Sequence, residues 1–485
     1  MGDDGHCQQI APERDIRCDV HEECRAQAAK AVRQAAVMRA TASHIGQRAW
    51  RSFGRMNSDG PNPLRINSTH RLNHQPPGME AVDIDTHGHM RFSYDEIAGY
   101  DETSQNVDPD DVDRLLGFMD DAGLDQMWVS GMMGETFNSE EYQSDVEALV
   151  AKYGGKEELE HMRDTLILEA SRMSIPDGQD EPRLVPFVAG FFLESERTPE
   201  YVCDRLAEGF AGIGELIVHG HTGNTDGTND ILQQVYQAAA QYGVPVLVHW
   251  DIGGVEYDED FCGSDESCDC DEESFLDYAR IRRQENLAEL IAVIEANPET
   301  IFILAHCGAG PGGWSDDPCD GSQLGNPSQL DAVTSGEYGA ALESLALDYE
   351  NIWFDVSGIP GEIEEVQSII FSMIERRSDR FLFGYDTDDE ALQRTLASNI
   401  IQEHQGLLSE LDNLGIRDEV MSANPTYIAM QRTTSTDGPC EVGEDDVDDL
   451  GWVPWGPVPL QWFDRFDDAN KLEPFGPDDF IMSTW

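Results

Sequence analysis

Six histidines and carboxylates lie within or just after apolar runs of this sequence, and their types suit a divalent cation. His87 and His89 follow the first such run, and alternation along an extended chain puts both imidazoles on one side. The other four are Glu215, His249, His306 and Asp386. Imidazole and carboxylate groups are donors that zinc, manganese and iron accept. Four imidazoles and two carboxylates gathered at one point would be costly without a cation, so the set predicts a metal site.

The elements that must bring these residues together are eight short apolar, β-branched runs, most of which are followed by a segment of helical periodicity. The runs are 81–85, 126–130, 184–192, 212–218, 245–249, 301–305, 352–356 and 381–384. Apolar strands that alternate with helices indicate a parallel sheet covered by helices, and eight repeats predict closure into an α/β (β/α)8 TIM barrel. An open doubly wound sheet is the alternative, but no Gly-rich phosphate loop follows the first run. Active sites of such barrels lie at the carboxyl ends of the strands, where five of the six residues are found, and Glu215 lies within the fourth run.

With those residues in that order, residues 80–430 resemble the amidohydrolase superfamily, in particular its amidohydrolase-related (amidohydrolase 2) metal-dependent hydrolases. The segments that carry the resemblance are 84–89, 244–249, 302–308, 353–358, 381–387 and 424–425. The resemblance implies a distorted (β/α)8 barrel with one or two divalent metals. It further implies that His87, His89 and His249 bind metal. By the same resemblance His306 binds a second metal or contacts substrate, and Asp386 binds metal and shuttles a proton.

Strand four separates the subtypes of this superfamily. Many binuclear members place a carboxylated lysine there, but the sequence has no lysine between Lys156 and Lys471, which excludes that chemistry. Glu215 instead resembles the bridging glutamate of TatD-type hydrolases, and with Glu215 bound the site would be binuclear. The alternative is a structural Glu215, bonded to backbone or arginine, beside a single metal.

The predicted activity is that of a metal-dependent hydrolase. A cation-activated water would cleave a C–N, C–O or ester-type bond, with Asp386 as general base and acid. His306 would stabilise the developing oxyanion or hold the second metal. The alternative within the family is a single-metal nonoxidative decarboxylase, a lyase that uses His306 as proton donor. The expected cofactor is zinc, with manganese or iron as alternatives, in one or two ions.

Four further residues are predicted contacts of a small-molecule substrate. Arg91, just past the first histidine pair, suits a substrate carboxylate, and Trp250 suits a pocket wall. His219 and His221 follow Glu215 by even numbers of residues, so in an extended strand their side chains would lie on the same side as that of Glu215. Each of the four also has a structural interpretation, as a core or loop residue. The insertions 132–180, 251–280 and 308–336 would set the specificity, and they carry no motif that identifies the substrate.

Charge limits the partners of the protein. The 485 residues carry a net charge of −64, from 31 Lys+Arg and 95 Asp+Glu. That charge repels a polyphosphate and excludes coating of duplex nucleic acid. An acidic excess with only four lysines resembles the proteins of salt-accumulating halophiles, because concentrated salt screens self-repulsion. The apolar runs are of strand length and no secretory signal pattern occurs, so we expect a cytoplasmic enzyme without membrane spans. The sequence leaves open whether the chain forms a homo-oligomer.

The same charge divides the chain near residue 76. Residues 1–75 hold 8 acidic and 11 basic residues, whereas the rest holds 87 acidic and 20 basic residues. We expect three parts: an N-terminal helical and linker extension (1–78), the barrel (79–430) and an irregular C-terminal tail that wraps the barrel (431–485). Alternatively, translation starts at Met56 or Met79, and the upstream residues are not part of the native protein.

The cysteines leave several interpretations open. Cys262, Cys268 and Cys270 cluster in an acidic segment, and Cys319 follows further along the chain. Their spacing is not that of a common zinc finger, so disulfides or free thiols are favoured over a structural zinc.

Overall fold

The computed structural model describes residues 82–100, 106–133, 143–176, 179, 181–220, 223–252, 272–309, 332–358, 364–395, 397–430 and 438–440. The predicted N-terminal extension and most of the predicted tail lie outside these residues. His221 and the cysteines Cys262, Cys268, Cys270 and Cys319 lie outside them as well. No helix in the described ranges is long and apolar enough to cross a membrane.

The described strands form one sheet, which is parallel throughout except for one short strand. The strands are β1 (Ile84–Phe92), β2 (Gln126–Met133), β3 (Leu184–Val188), β4 (Gly212–Gly220), β5 (Gly223–Asn224), β6 (Pro245–Trp250), β7 (Ile301–Leu304), β8 (Ile352–Asp355), β9 (Phe381–Leu382) and β10 (Thr387–Asp388). Their order is β10-β1-β2-β3-β4-β6-β7-β8-β9, and β5 pairs with β4 in the antiparallel sense. Each predicted apolar run therefore contributes a strand, in sequence order around the sheet.

β9 and β10 are two halves of the last barrel strand, and they close the ring. β9 pairs with β8, and β10 pairs with β1. Between them, the Phe383 carbonyl accepts a hydrogen bond from the Thr86 N–H at 2.9 Å, and the Asp386 N–H donates to the His87 carbonyl at 2.9 Å. One stretch of chain thus binds both ends of the sheet. The predicted (β/α)8 barrel is confirmed.

Apolar side chains fill the barrel interior beneath the strand ends. They alternate along the strands with residues that face the surrounding helices, as the pleat requires. The interior set includes Ile84, Trp128, Phe187, Leu247, Ile303, Trp353 and Leu382. Ile428 joins this set from a helix near the C-terminal end of the described chain, and it lines a small cavity with Val244 and Pro245, where β6 begins. The amino end of the barrel is therefore plugged, and the carboxyl end is left for polar residues.

The helices pack around the sheet. They are α1 (Tyr94–Ala98), α2 (Pro109–Ala122), α3 (Gln143–Tyr153), α4 (Lys156–Met173), α5 (Thr198–Glu208), α6 (Asp230–Tyr242), α7 (Glu272–Ala296), α8 (Ala332–Asp348), α9 (Glu364–Arg377), α10 (Asp389–Arg394), α11 (Ala397–Leu414) and α12 (Asn424–Met430). Local signals define their ends. In α6 the Asn229 side chain caps the Leu232 N–H, and Gly243 ends the helix at φ 60°.

One sequence-based expectation needs correction. The segment 132–180 was expected to be an insertion without a readable motif, yet it contains the helices α3 and α4. α4 buries Leu159, Leu166 and Ile167, which have helical spacing, and so it serves as a barrel helix. The buried polar residues Asp164 and Ser171 interrupt its apolar stripe, so the sequence pattern does not reveal this helix.

A disulfide joins Cys203 of α5 to Cys440, 237 residues further along the chain. The side chain of Gln241 in α6 exchanges two hydrogen bonds with the backbone of Cys440: Nε2 donates to its carbonyl at 3.1 Å, and Oε1 accepts from its N–H at 2.9 Å. The segment 438–440 is therefore fixed against α5 and α6. Neither cysteine was singled out from the sequence.

Candidate metal centre

The first histidine pair projects from β1 into the mouth of the barrel. His87 is fully buried and His89 nearly so, and their Nε2 atoms lie 3.1 Å apart. Gly384, in the link between β9 and β10, makes this packing feasible. A Cβ at that position would lie 2.6 Å from the Cβ of His87. The alternation expected for the H-x-H pair thus brings both imidazoles to one point.

Two carboxylates face this pair. Oδ1 of Asp386 lies 3.7 Å from Nε2 of His87 and 3.5 Å from Nε2 of His89. Oε2 of Glu215 lies 3.4 Å and 3.6 Å from the same two nitrogens. Ligands about 2.1 Å from a tetrahedral ion are separated from one another by about 3.4 Å. Each carboxylate oxygen therefore lies at about this separation from the two histidine nitrogens.

The other oxygen of Glu215 faces the second histidine pair. Oε1 lies 2.9 Å from Nδ1 of His249 and 3.6 Å from Nε2 of His306. Gly214, with φ 122°, lets the strand approach β6 so closely that a Cβ there would lie 2.2 Å from the Leu247 carbonyl. The Glu215 carboxylate thus lies between two histidine pairs, with one oxygen toward each.

Two overlapping groups in the described chain have ligand atoms close enough together to hold an ion. One is His87, Glu215 and His306, and the other is His87, His89 and Asp386. His249 belongs to neither group and meets the centre through Glu215. The structure therefore brings the six predicted residues together, with His249 at the margin.

Backbone conformation also marks this place. Among the described residues, those other than glycine with positive φ are His306 (51°), Cys307 (54°) and Asp386 (50°). Such residues occupy a sparsely populated region at a cost of about 1–3 kcal/mol each, and they cluster at functional sites. Two of the three are predicted site residues, and Cys307 follows one of them directly.

Each histidine makes a further contact through its other ring nitrogen. Nδ1 of His87 lies 2.7 Å from Oδ2 of Asp355. Nε2 of His249 lies 3.2 Å from Oδ1 of Asp251. The remaining two contacts are from Nδ1 of His89 to Oγ of Ser130 at 2.8 Å, and from Nδ1 of His306 to the carbonyl of Ser357 at 3.1 Å. These contacts fix the direction in which each ring points.

Sequence reasoning assigned no role to these four outer residues, although two of them left a signal. Asp355 ends β8, so it occupies the kind of strand-end position at which the other site residues were found. Asp251 lies two residues after His249, so in an extended chain both side chains would lie on the same side. It was assigned to the acidic insertion that follows.

The charges of the centre reinforce one another. Burial opposes ionisation of Glu215, but the positive charge of His87, with hydrogen bonds from His249 and His306, holds its pKa well below the ordinary value. Burial likewise opposes ionisation of Asp386, but the positive charges of His87 and His306 hold its pKa below the ordinary value. Without an ion, both carboxylates are therefore charged at neutral pH.

The pKa values of two histidines are shifted in the opposite direction, upward. Burial lowers the pKa of His87, but the nearby carboxylates Glu215, Asp386 and Asp355 outweigh burial and raise it well above the ordinary value. Burial also opposes the charge on His249, yet Asp251 and Glu215 raise its pKa to about 10. The ion-free centre holds protons where an ion would bind.

Asp85 has a different role. Burial raises its pKa to about 8, although its Oδ1 accepts hydrogen bonds from the N–H groups of His87 at 2.9 Å and Tyr385 at 3.1 Å. These bonds tie β1 to the link between β9 and β10. Asp85 therefore braces the two strands that carry His87 and Asp386.

The predicted substrate contacts are engaged by the protein itself. Nε of Arg91 donates to Oδ2 of Asp388 at 2.8 Å, which joins β1 to the start of α10. Trp250 is 1% exposed and donates from Nε1 to the Asn286 carbonyl at 3.0 Å. His219 is buried, with Nε2 3.1 Å from Oε1 of Glu289. These contacts match the structural interpretations, and a role toward substrate stays a prediction.

The sequence matches the family model described as Amidohydrolase over residues 84–398. No curated protein matches the chain by sequence. Solved structures that resemble it include 2,6-dihydroxybenzoate decarboxylase from Rhizobium, with 14% sequence identity and a TM-score of 0.40. Others are a probable 2-pyrone-4,6-dicarboxylic acid hydrolase from Acinetobacter baumannii, with 12% and 0.39, and an amidohydrolase from Burkholderia multivorans, with 12% and 0.40. Each match covers 72% of this chain and 99% of the other.

Proposed function

The chain belongs to the amidohydrolase family, and on that premise we propose that it is a metal-dependent hydrolase whose two histidine pairs would hold two divalent ions, with Glu215 as a ligand for both. The observation that carries the proposal is that the two oxygens of Glu215 face different histidine pairs. Oε2 faces His87 and His89, whereas Oε1 faces His249 and His306. A carboxylate placed in this way suits a bridge between two ions. Nitrogen and oxygen donors at tetrahedral spacing favour zinc, with manganese or iron as alternatives.

The proposed substrate is a small molecule with a C–N, C–O or ester-type bond. Divalent ions at this centre would supply Lewis acidity, which lowers the pKa of water and polarises the bond to be cleaved. The Asp386 carboxylate accepts the proton of the attacking water and returns it to the leaving group. His306 faces the centre beside Asp386 and stabilises negative charge that develops on the substrate oxygen. The acidic composition supports a salt-rich cytoplasm as the working environment, in which the Cys203–Cys440 disulfide would have to withstand reduction.

A single-metal decarboxylase is the second candidate, and one observation favours it. Nδ1 of His249 lies 2.9 Å from Glu215, and Nε2 lies 3.2 Å from Asp251. Two carboxylates thus suffice to hold His249 without an ion. In that case one ion would bind to His87, His89 and Asp386, and His306 would donate a proton to the substrate carbon as carbon dioxide leaves.

Ion stoichiometry separates the two candidates. Elemental analysis of the purified protein should find two ions per chain, and Glu215→Ala should reduce that number to one or none. A single ion that Glu215→Ala leaves in place would favour the decarboxylase. Glu289→Ala is the matched control, because Glu289 pairs with His219 rather than with the four histidines of the centre. A panel of esters, lactones, amides, phosphoesters and aromatic carboxylates, assayed in high salt, then identifies the reaction.

A further inference from the structure

Two buried carboxylates stand behind the histidines of the centre. Asp355 is fully buried at the end of β8, and Asp251 is 4% exposed just past β6. Asp355 contacts Nδ1 of His87, and Asp251 contacts Nε2 of His249. The corresponding nitrogens of the other two histidines lie nearest to neutral groups, Ser130 and the Ser357 carbonyl, and Oδ2 of Asp386 is 3.9 Å from that of His306. Each histidine pair therefore contains one ring that is held by a charged acceptor.

We propose that Asp251 and Asp355 are positioning residues, one for each half of the two-ion centre. Asp355 acts through His87 on the half that faces Oε2 of Glu215, and Asp251 acts through His249 on the half that faces Oε1. This inference rests on the proposed two-ion function.

The physical basis is the tautomer of each ring. A neutral imidazole carries one N–H, and a carboxylate that accepts it leaves the lone pair on the other nitrogen for an ion. For His87 the N–H is fixed on Nδ1, so Nε2 points to the centre. For His249, Oδ1 of Asp251 lies 3.2 Å from Nε2 without the alignment of a hydrogen bond, so its charge would favour the N–H on Nε2 and leave Nδ1 for the centre. The two rings thus present opposite nitrogens to the same glutamate, and the two aspartates account for the difference.

Both aspartates are held firmly enough for this task. The Asp251 N–H donates to the His219 carbonyl at 3.1 Å, and its carbonyl accepts from Nδ2 of Asn286 at 2.8 Å. The Ser357 N–H donates to Oδ1 of Asp355 at 3.2 Å, and the Ser357 hydroxyl donates to Oδ2. The backbone of Asp251 and the side chain of Asp355 are thus held in place beside the two histidines.

The test is ion affinity, measured on ion-free protein by zinc titration against a competing chelator, with elemental analysis for the number of ions. Asp251→Asn keeps the size of the side chain but removes its charge, and it should weaken one of the two ions about 10- to 100-fold while the other is unchanged. Asp355→Asn should weaken the other ion by a similar factor. Asp251→Glu keeps the charge and should recover part of the loss.

Asp164→Asn is the matched control. Asp164 is also buried, and it accepts hydrogen bonds from Ala189, Gly190 and Tyr201. Its replacement should leave both affinities unchanged, and circular dichroism of the ion-free variants verifies their fold. If Asp355→Asn does not fold, the Asp251 variants test the inference for the half that faces Oε1 of Glu215.

The outcomes distinguish the inference from the function on which it rests. Two ions in the wild type with unchanged affinities in Asp251→Asn would overturn the inference alone. Equal losses in Asp251→Asn and Asp251→Glu would indicate packing rather than charge, and would overturn it as well. A wild type that holds only one ion would overturn the two-ion hydrolase itself.

Discussion

Oδ1 of Asp386 lies 3.5 Å from Nε2 of His89, although 35% of the Asp386 side chain remains exposed. The four histidines around it are nearly or fully buried. Asp386 is therefore the member of the centre that contacts both the histidines and the open mouth of the barrel. A carboxylate in that position can exchange a proton with water on one side and with a leaving group on the other.

Asp386→Asn should therefore abolish most turnover while ions stay bound. The amide keeps an oxygen toward His89 but cannot take up a proton, so kcat should fall about 10²- to 10⁴-fold on the substrate that the panel identifies. Elemental analysis should find the ion content largely retained. Asp379→Asn, on an exposed carboxylate at the other end of the same strand, is the control and should leave kcat unchanged. Turnover at the wild-type rate in Asp386→Asn would remove Asp386 from the mechanism.

Ion binding should depend on pH because the ion-free histidines hold protons. The pKa of His249 is raised to about 10, and that of His87 is raised well above its ordinary value. An ion must displace these protons, so the apparent affinity should rise as the pH rises. Calorimetric titrations in buffers of different ionisation enthalpy count the protons released. Release of no proton at pH 7 would contradict the raised pKa values.

Stability of the ion-free protein should change with pH in the opposite sense. The pKa of His249 in the folded state, about 10, lies above its ordinary value of 6.5. Its contribution is therefore complete below pH 6.5 and is lost as the pH rises through 10. The thermal midpoints of ion-free and ion-loaded protein should thus diverge as the pH increases. His249→Asn should flatten the pH dependence of the midpoint in the ion-free protein. A difference between the ion-loaded and ion-free midpoints that becomes smaller as the pH rises would contradict this expectation.

The barrel could be predicted from the sequence because its strands are short and buried on both faces, which makes them continuous apolar runs. Five of the six inner residues could be found because they end or follow such runs, and Glu215, which lies within β4, was found through its resemblance to a bridging glutamate. Asp251 was missed, since it begins an acidic segment and only its contact with His249 shows its role. The pairing of Cys203 with Cys440 depends on how a segment 237 residues away docks on α5, which no local pattern encodes.

The amino end of the barrel offers a test of the fold that does not involve the metal centre. Ile428 of α12 is fully buried and packs with the barrel interior, which includes Trp128 and Val185. Ile428→Ala leaves a cavity there and should lower the free energy of unfolding by about 2–5 kcal/mol. Leu347→Ala, at a site that is 57% exposed, is the control and should change it by no more than about 0.5 kcal/mol. Denaturant titration measures both, and equal effects would mean that α12 does not plug the barrel.

Stability should also depend strongly on salt. With a net charge of −64, acidic side chains outnumber their basic partners about threefold, so most of them have no basic side chain to neutralise them. Their mutual repulsion destabilises the compact state, and salt near 1 M shortens its range to about 3 Å.

The thermal midpoint should therefore rise by several degrees as KCl increases from dilute buffer to the molar range. Sucrose stabilises proteins by exclusion from their surface and leaves charges unscreened, so it separates the two causes. At equal osmolality, KCl should raise the thermal midpoint more than sucrose does. A midpoint that falls with KCl, or that responds equally to sucrose, would show that charge repulsion does not limit the stability of this barrel.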